Sequence, residues 1–228
     1  MSKIRICTPV TGKTLDEFLA NLQKVQTVSD LIELRTDYVS ELTVKDVNLL
    51  KNKTTKTAIF TCRNCHEGGK FSGKEEKRLA IIQAAIDQMF DYVDIELNTI
   101  VKHPFKNRSL ANTILSYHNF EETPNYWEMN KLIFQMNQYK PKIIKIATMV
   151  KEEYENVKLY RLMVNKPHTE NRIIIGMGKK GTMTRILGPL LGNYLTYAAT
   201  DYDETAPGQI TLKKLIETYR RMGIIIND

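Results

Sequence analysis

One lysine stands inside an apolar run, where its amine could do chemistry. Lys145 lies between Ile144 and Ile146, in a segment typical of a buried strand. Because burial and nearby cations lower the pKa of a lysine, such an amine can attack a carbonyl carbon and form a Schiff base. His118 ends another apolar run and could move protons near neutral pH. The alternative for His118 is a core imidazole that is hydrogen bonded to a backbone carbonyl.

Charged residues alternate with apolar residues in two further runs. Glu33, Arg35 and Asp37 occupy every second position of one run, and Asp94 and Glu96 repeat this pattern in another. Side chains two residues apart on a strand point to the same face, so each set faces one way. Buried charges persist where they compensate one another or bind a ligand. The pattern predicts a polar site inside the fold, although any single charge could be a strand end that reaches solvent.

Three arginines indicate the kind of ligand that this site takes. Arg35, Arg63 and Arg185 carry forked guanidinium groups, which match the geometry of carboxylate and phosphate. The sequence therefore favours an anionic substrate.

Eight short apolar runs alternate with amphipathic, charge-rich stretches, as in α/β proteins with a parallel sheet. The runs predict strands at 4–8, 30–36, 57–63, 92–97, 113–118, 143–148, 172–176 and 194–199. The clearest helical periodicity falls at 15–25, 75–89, 126–138, 151–165 and 212–222. We predict an α/β fold, a (β/α)8 TIM barrel in a single domain over residues 1–228, with a doubly wound sheet as the alternative. In such a barrel the catalytic groups lie at the carboxyl ends of the strands.

Composition excludes several classes of protein. The chain has 228 residues, 42% of them hydrophobic, but no run approaches the roughly 18 apolar residues that cross a bilayer, and it opens without an apolar signal region. We therefore expect a cytoplasmic protein with no membrane partner. The net charge of +7 could attract nucleic acid, but the basic residues are spread along the chain, so we expect no nucleic-acid partner.

The three cysteines fit a reducing compartment rather than disulfides. Cys62, Cys65 and His66 match the C-x-x-C-H pattern of haem attachment, and C-x-x-C also suits zinc or thiol redox chemistry. Haem attachment of this kind follows export, and zinc would need a second pair of ligands. We interpret the pair as a strand-end cysteine and a loop cysteine, and we expect no metal and no cofactor.

Six motifs occur in order along nearly the whole chain. They are ELRTD at 33–37, RNCHEGG at 63–69, SYHNF at 116–120, KIA at 145–147, MGKKGTMTR at 177–185 and APGQ at 206–209. Together they resemble type I 3-dehydroquinate dehydratase. The resemblance implies a (β/α)8 hydro-lyase that converts 3-dehydroquinate to 3-dehydroshikimate, the third step of the shikimate route to chorismate and aromatic amino acids. It also implies that no cofactor is needed, and members of the family are often homodimers.

The resemblance also assigns roles to single residues. Lys145 matches the lysine that forms an imine with the substrate ketone, His118 the general acid/base, and Glu67 the residue that positions this histidine. Arg185 matches the group that binds the substrate carboxylate. Glu33, Arg35 and Arg63 match residues that contact the ring hydroxyls or organise the site. Thr205 and Gln209 belong to a loop that closes over the substrate.

The sequence departs from the family pattern at three places. A first-strand serine of many relatives is matched here by Cys7 or Thr8, and the sequence leaves both alternatives open. Thr205 and Thr184 each replace a frequent serine but keep a hydroxyl group.

Two other classes of function explain part of the pattern. A class I aldolase would share Lys145 but would not need His118, Arg185 and the APGQ loop together. A non-catalytic protein that binds anions or nucleic acid would explain the charge but not a buried lysine.

Overall fold

The computed structural model describes residues 4–103, 105, 110–200 and 205–224. Within these residues the chain forms one sheet of eight parallel strands in the order β7-β6-β5-β4-β3-β2-β1-β8. An isolated parallel bridge between Arg172 and Asn193 brings β7 next to the segment that leads into β8, so the sheet nearly closes on itself. The strands are β1 Ile6–Val10, β2 Leu31–Arg35, β3 Thr57–Thr61, β4 Tyr92–Glu96, β5 Thr113–Asn119, β6 Ile143–Met149, β7 Arg172–Met177 and β8 Thr196–Tyr197.

Helices follow the strands and cover the outside of the sheet. They are α1 Leu15–Gln26, α2 Val44–Lys53, α3 Glu75–Asp87, α4 Leu97–Lys102, α5 Tyr126–Asn137, α6 Asn156–Val164, α7 Met183–Leu187 and α8 Leu212–Arg221. The predicted (β/α)8 barrel is therefore confirmed. No helix in the described part of the chain is long and apolar enough to cross a membrane. That residues 1–228 form a single domain stays a prediction.

Each predicted strand overlaps an observed strand, but the first one lies two residues later than predicted. Three helices carry too little periodic signal to be predicted. The helices α4 and α7 have six and five residues, which is less than two turns. The helix α2 buries only Val47 and Leu50, and its start depends on a capping box between Thr43 and Asp46.

The two faces of the strands separate apolar packing from the polar site. Ile32 and Leu34 point outward and pack in the layer between sheet and helices. Their neighbour Leu31 points inward and joins an apolar cluster that fills the lower part of the barrel. The cluster forms a floor beneath the polar side chains that follow on the same faces, and its residues include Leu31, Ile59, Ile114, Ile143 and Ile173.

Candidate active site

A cavity opens at the carboxyl ends of the strands, where charged side chains converge. A concave site with a few convergent polar groups is the usual place for a small ligand. Most of the residues predicted for the site line it, namely Glu33, Arg35, Arg63, Glu67, His118, Lys145, Arg185, Thr205 and Gln209. The fold thus brings together residues from several strands or strand ends and from the loop before α8.

The amine of Lys145 lies at the base of the cavity, and the residue is only 5% exposed. Its Nζ donates a hydrogen bond to Asp94 Oδ2 at 2.9 Å and lies 3.6 Å from Glu33 Oε1. The ring of Tyr197 lies beneath the amine, with 4.7 Å between Nζ and the ring centre. Two carboxylates and an aromatic face therefore fix the position of the nucleophile.

Asp94 connects Lys145 to Arg63, which lies just after the neighbouring strand β3. Its Oδ1 accepts a hydrogen bond from Ser116 Oγ at 2.6 Å and lies 2.8 Å from Arg63 Nη2. Burial alone would raise the pKa of Asp94, but Arg63 and Lys145 outweigh it and hold that pKa well below its usual range. Asp94 is therefore ionised at any pH at which the protein would work.

His118 and Glu67 form a buried pair on one wall of the cavity. Glu67 Oε2 accepts the backbone N–H of His118 at 3.0 Å and lies 3.0 Å from its Nδ1. Burial, reinforced by Arg63 and Lys145, holds the pKa of His118 well below its usual value. A neutral imidazole that donates its Nδ1–H to Glu67 leaves Nε2 able to accept a proton.

The same burial raises the pKa of Glu67 to about 7, although Arg63 opposes the shift. Glu67 ends the 3-10 turn Cys65–Glu67, and Gly68 then adopts a left-handed conformation with φ of 77°. A Cβ atom at Gly68 would lie 2.2 Å from Phe120 Cζ, so only glycine lets the Phe120 ring approach this turn. The turn therefore places Glu67 against His118.

Glu33 and Arg35 lie on the inner face of β2. Glu33 Oε1 accepts a hydrogen bond from Thr61 Oγ1 at 2.9 Å. Arg35 pairs with Asp37 through two hydrogen bonds of 2.9 Å, which explains the alternating charges of the ELRTD motif. Both side chains are held rigidly at the cavity wall.

Arg185 and the segment 205–209 form the opposite wall. Arg185 is buried on α7, and its Nη2 donates to the Pro207 carbonyl at 3.4 Å. Within the loop, the Thr205 backbone N–H donates to Gln209 Oε1 at 2.9 Å. Gly208 has φ of 77°, and a Cβ there would lie 2.3 Å from the Gly178 carbonyl oxygen. The loop is thus docked closely on the segment after β7.

Cys7 and Thr8 point to opposite sides of β1. Cys7 packs in the inner apolar cluster, where burial raises the pKa of its thiol well above the usual value. Thr8 is the register partner of Ile32, which faces the helices. Of the two alternatives only Cys7 faces the barrel interior, and it lies below the cavity rather than in its wall. A substrate contact by Cys7 stays a prediction.

The C-x-x-C-H cysteines occupy the positions that we expected. Cys62 follows β3 and is buried in the outer core, whereas Cys65 is exposed in the turn before Glu67. Over the described ranges, no group of three or more His, Cys, Asp or Glu side chains could hold a metal ion.

Sequence reasoning missed two partners of the lysine. Asp94 was noted only as an alternating charge, and its pairing with Lys145 across two strands depends on the barrel geometry. Tyr197 carries no polar pattern around it, so nothing in the sequence pointed to its ring beneath the amine.

Comparison with known proteins identifies relatives over almost the full chain. Residues 6–226 match the family model described as Type I 3-dehydroquinase. The 3-dehydroquinate dehydratase of Coxiella burnetii (strain CbuK_Q154) is 44% identical over 218 residues, which cover 95% of this chain and 93% of the relative. The enzyme of the same name from Methanocaldococcus jannaschii is 32% identical over 225 residues, or 96% of this chain and 99% of the relative.

Two crystal structures show the same architecture. The 3-dehydroquinate dehydratase from Geobacillus kaustophilus HTA426 superposes with a TM-score of 0.83 at 24% identity, covering 97% of this chain and 92% of that one, and supports the fold alone. The 3-dehydroquinate dehydratase from Aquifex aeolicus VF5 gives a TM-score of 0.74 at 26% identity, covering 96% of this chain and 98% of that one.

Proposed function

Because the chain belongs to the type I 3-dehydroquinase family, we propose that this hydro-lyase converts 3-dehydroquinate to 3-dehydroshikimate through a covalent imine on Lys145. The observation that carries the proposal is a buried amine at the base of the cavity, beside a carboxylate pair and a proton-accepting histidine. The activity would serve the third step of the shikimate route.

In the first stage the Lys145 amine, after losing a proton, adds to the ketone carbon of the substrate. His118 Nε2 is the group suited to move protons here, since its neutral form is favoured and Glu67 holds the ring. The carbinolamine then loses its oxygen as water and leaves a protonated imine. Asp94 remains ionised beside the resulting cation and stabilises it.

In the second stage the imine cation acts as an electron sink. Neutral His118 accepts a proton from the adjacent carbon through Nε2, the electron pair of that C–H bond moves toward the imine nitrogen, and an enamine forms. The enamine expels the β-hydroxyl group, which takes a proton from His118 and leaves as water. Hydrolysis of the imine then releases the unsaturated ketone and restores the Lys145 amine.

Positive charge in the cavity suits the carboxylate of 3-dehydroquinate. Arg185 on α7 is the group that we assign to this carboxylate, because a guanidinium can donate two parallel hydrogen bonds to it. The loop that contains Thr205 and Gln209 lies over the same wall. Its closure over the substrate would exclude water and strengthen the electrostatic interactions around the imine.

Reduction of the imine tests the proposal directly. The protein is incubated with 3-dehydroquinate and borohydride, which converts an imine to a stable secondary amine, and its peptides are analysed by mass spectrometry. We expect one substrate-dependent adduct, on Lys145. Lys145→Met should lose the adduct and the activity, whereas Lys45→Met, exposed on α2, should keep both. A folded wild-type protein without adduct and without product absorbance would refute the assignment.

We also propose that the enzyme is a homodimer, as the resemblance implies. Trp127 and Phe134 lie seven residues apart on one exposed face of α5 and offer an apolar stripe that a second copy could cover. Sedimentation equilibrium should give twice the chain mass of 26.4 kDa. A mass of one chain at micromolar concentration would overturn this. The cytoplasmic location stays a prediction.

A further inference from the structure

A fully buried arginine lies behind the site, on a helix whose residues do not line the cavity. Arg78 belongs to α3 in the outer layer, yet its relative exposure is 0%. Its Nη1 donates to the Cys62 carbonyl at 2.8 Å and to Glu96 Oε2 at 2.9 Å, and its Nη2 donates to Thr99 Oγ1 at 2.7 Å. Its Nε and Nη2 also form a two-pronged ion pair with Glu75, at 2.8 Å and 2.6 Å, which offsets part of the cost of burying the guanidinium. Arg78 itself does not line the cavity.

Glu96 is shared between Arg78 and the arginine of the site. Its Oε2 accepts from Arg78 and from Thr99 Oγ1 at 2.9 Å. Its Oε1 accepts the backbone N–H of Asn64 at 3.0 Å and lies 3.1 Å from Arg63 Nη1. With one oxygen occupied by Arg78, Glu96 cannot offer both oxygens to Arg63.

The remaining donors of Arg63 contact Asp94, which holds Lys145, and Ser116. Its Nη2 lies 2.8 Å from Asp94 Oδ1, and its Nη1 also donates to Ser116 Oγ at 2.7 Å. Asp94 Oδ2 in turn accepts from Lys145 Nζ. Positive and negative groups therefore alternate from the helix to the nucleophile, in the order Arg78, Glu96, Arg63, Asp94, Lys145.

We propose that Arg78 is a positioning residue, which occupies one oxygen of Glu96 so that Arg63 stays on Asp94 and Asp94 holds the Lys145 amine. The inference rests on the proposed function, because it concerns the same lysine. Without Arg78, Glu96 would draw Arg63 into a two-pronged ion pair, which is the preferred geometry of an arginine with a carboxylate. Asp94 would then lose a partner, and Lys145 would lose its fixed position.

Loss of Arg78 would also change the charge around the His118–Glu67 pair. Besides each other, these two groups face Arg63 just after β3, Asp94 and Glu96 on β4, Lys145 on β6 and Arg35 on β2. Glu96 and Asp94 already raise the pKa of Glu67, and Arg63 lowers it. A Glu96 that has lost one of its two cations would raise that pKa further.

The test compares wild type with Arg78→Met and with Arg78→Met/Glu96→Gln, in which the charges are balanced again. Thr99→Val is the matched control, because it removes the hydrogen bonds of the Thr99 hydroxyl to Arg78 and Glu96 without changing any charge. Three quantities are measured: the steady-state kinetics, the unfolding midpoint in urea, and the pH midpoint of the His118 ring resonance by NMR. The His118 resonance reports the titration of Glu67, with which it shares a hydrogen bond, and it needs no substrate.

We expect kcat of Arg78→Met to fall roughly 10- to 100-fold with KM within about threefold, since a displaced catalytic group costs about that much. The pH midpoint of the His118 resonance should rise by about 0.5 to 1 unit. This is the shift expected when one uncompensated charge lies roughly 10 Å from the titrating group, at an effective dielectric constant of about 20 to 40. The double variant should recover most of the lost kcat and return to the wild-type midpoint. Thr99→Val should keep kcat within about twofold, because Arg78 and Glu96 keep their charges and their direct ion pair.

Two results would overturn the inference. One is a folded Arg78→Met variant with wild-type kcat and midpoint, and the other is a double variant as slow as the single one, which would indicate lost packing instead. If Arg78→Met does not fold, Arg78→Lys replaces it: the kept charge should leave the midpoint unchanged while kcat falls, and a wild-type kcat would contradict the inference. If wild type does not turn over 3-dehydroquinate, the proposed function fails, and the NMR midpoints still decide the role of Arg78.

Discussion

The ionised carboxylate of Glu67 is expected to destabilise the folded protein, because it is buried beside His118. The Glu67 side chain is buried at the end of an otherwise exposed turn, and burial raises the pKa of its carboxyl group from the ordinary 4.5 to about 7. Replacing it by Gln removes the ionisation while keeping an oxygen that can accept the two hydrogen bonds from His118. Glu67→Gln should therefore give a protein that is more stable at neutral pH and less active.

The size and sign of the stability change follow from the shift in pKa. The folded state holds the Glu67 proton more tightly than the unfolded state, so ionisation of Glu67 favours unfolding. The penalty is absent below the unfolded pKa of 4.5, grows as the pH rises from there to about 7, and is constant above it. At about 1.4 kcal/mol for each unit of pKa, the full penalty is about 3 kcal/mol, as an order of magnitude.

Urea unfolding at pH 4, 6 and 8 measures the destabilisation by ionised Glu67 directly. The free energy of unfolding of Glu67→Gln should match that of wild type at pH 4 and exceed it by about 3 kcal/mol at pH 8. Glu76→Gln, on the exposed part of α3, is the control and should follow wild type at every pH. An advantage of the variant that does not change with pH, or one that shrinks as the pH rises, would refute the reasoning.

The same variant should lose activity, because the neutral amide of glutamine cannot stabilise a protonated imidazole as a carboxylate does. We expect kcat to fall about 10- to 100-fold, within the range of general acid–base contributions. Unchanged kcat across pH 6 to 9 would show that Glu67 does not act on His118.

Three further perturbations test other parts of the site. Tyr197→Phe removes a buried hydroxyl that has no hydrogen-bond partner among the described residues, so it should raise the free energy of unfolding by about 1 kcal/mol in urea; a loss of stability would contradict this. Arg185→Gln should raise KM and lower kcat/KM at least about tenfold, the value of one charged hydrogen bond, and steady-state kinetics with wild-type KM would exclude Arg185 as the carboxylate contact. Gly208→Ala places a Cβ 2.3 Å from the Gly178 carbonyl oxygen, so the loop should dock poorly and KM should rise; an unchanged KM would show that docking of this loop does not affect binding.

The barrel was predictable because each strand leaves a recognisable apolar run, and the helices that were missed leave none. In α2 only Val47 and Leu50 are buried, and α4 and α7 are too short to show a period. Strand ends were less certain than strand existence. The first strand was placed two residues early because Ile4 is as apolar as the strand itself and packs in a separate cluster near α8.

The site was predictable where a charge interrupts a strand, as at Lys145 and Arg35. Glu67 lies in a polar turn that resembles any exposed loop, so only the family resemblance pointed to it. The pairing of Asp94 with Lys145 was out of reach for a different reason. The two residues are 51 positions apart on β4 and β6, which flank β5, and only the curvature of the sheet brings their inward-facing side chains together.

The unequal burial of the three cysteines gives the protein a natural attachment point for a spectroscopic probe. Burial raises the pKa of the Cys7 and Cys62 thiols and shields both from reagents, whereas Cys65 is exposed. A maleimide fluorophore should therefore label Cys65 alone, without prior removal of the other two. Cys65 lies in the same turn as Glu67, two residues before it, so the emission of the label should change when substrate binds. No substitution in the sequence is needed for this labelling.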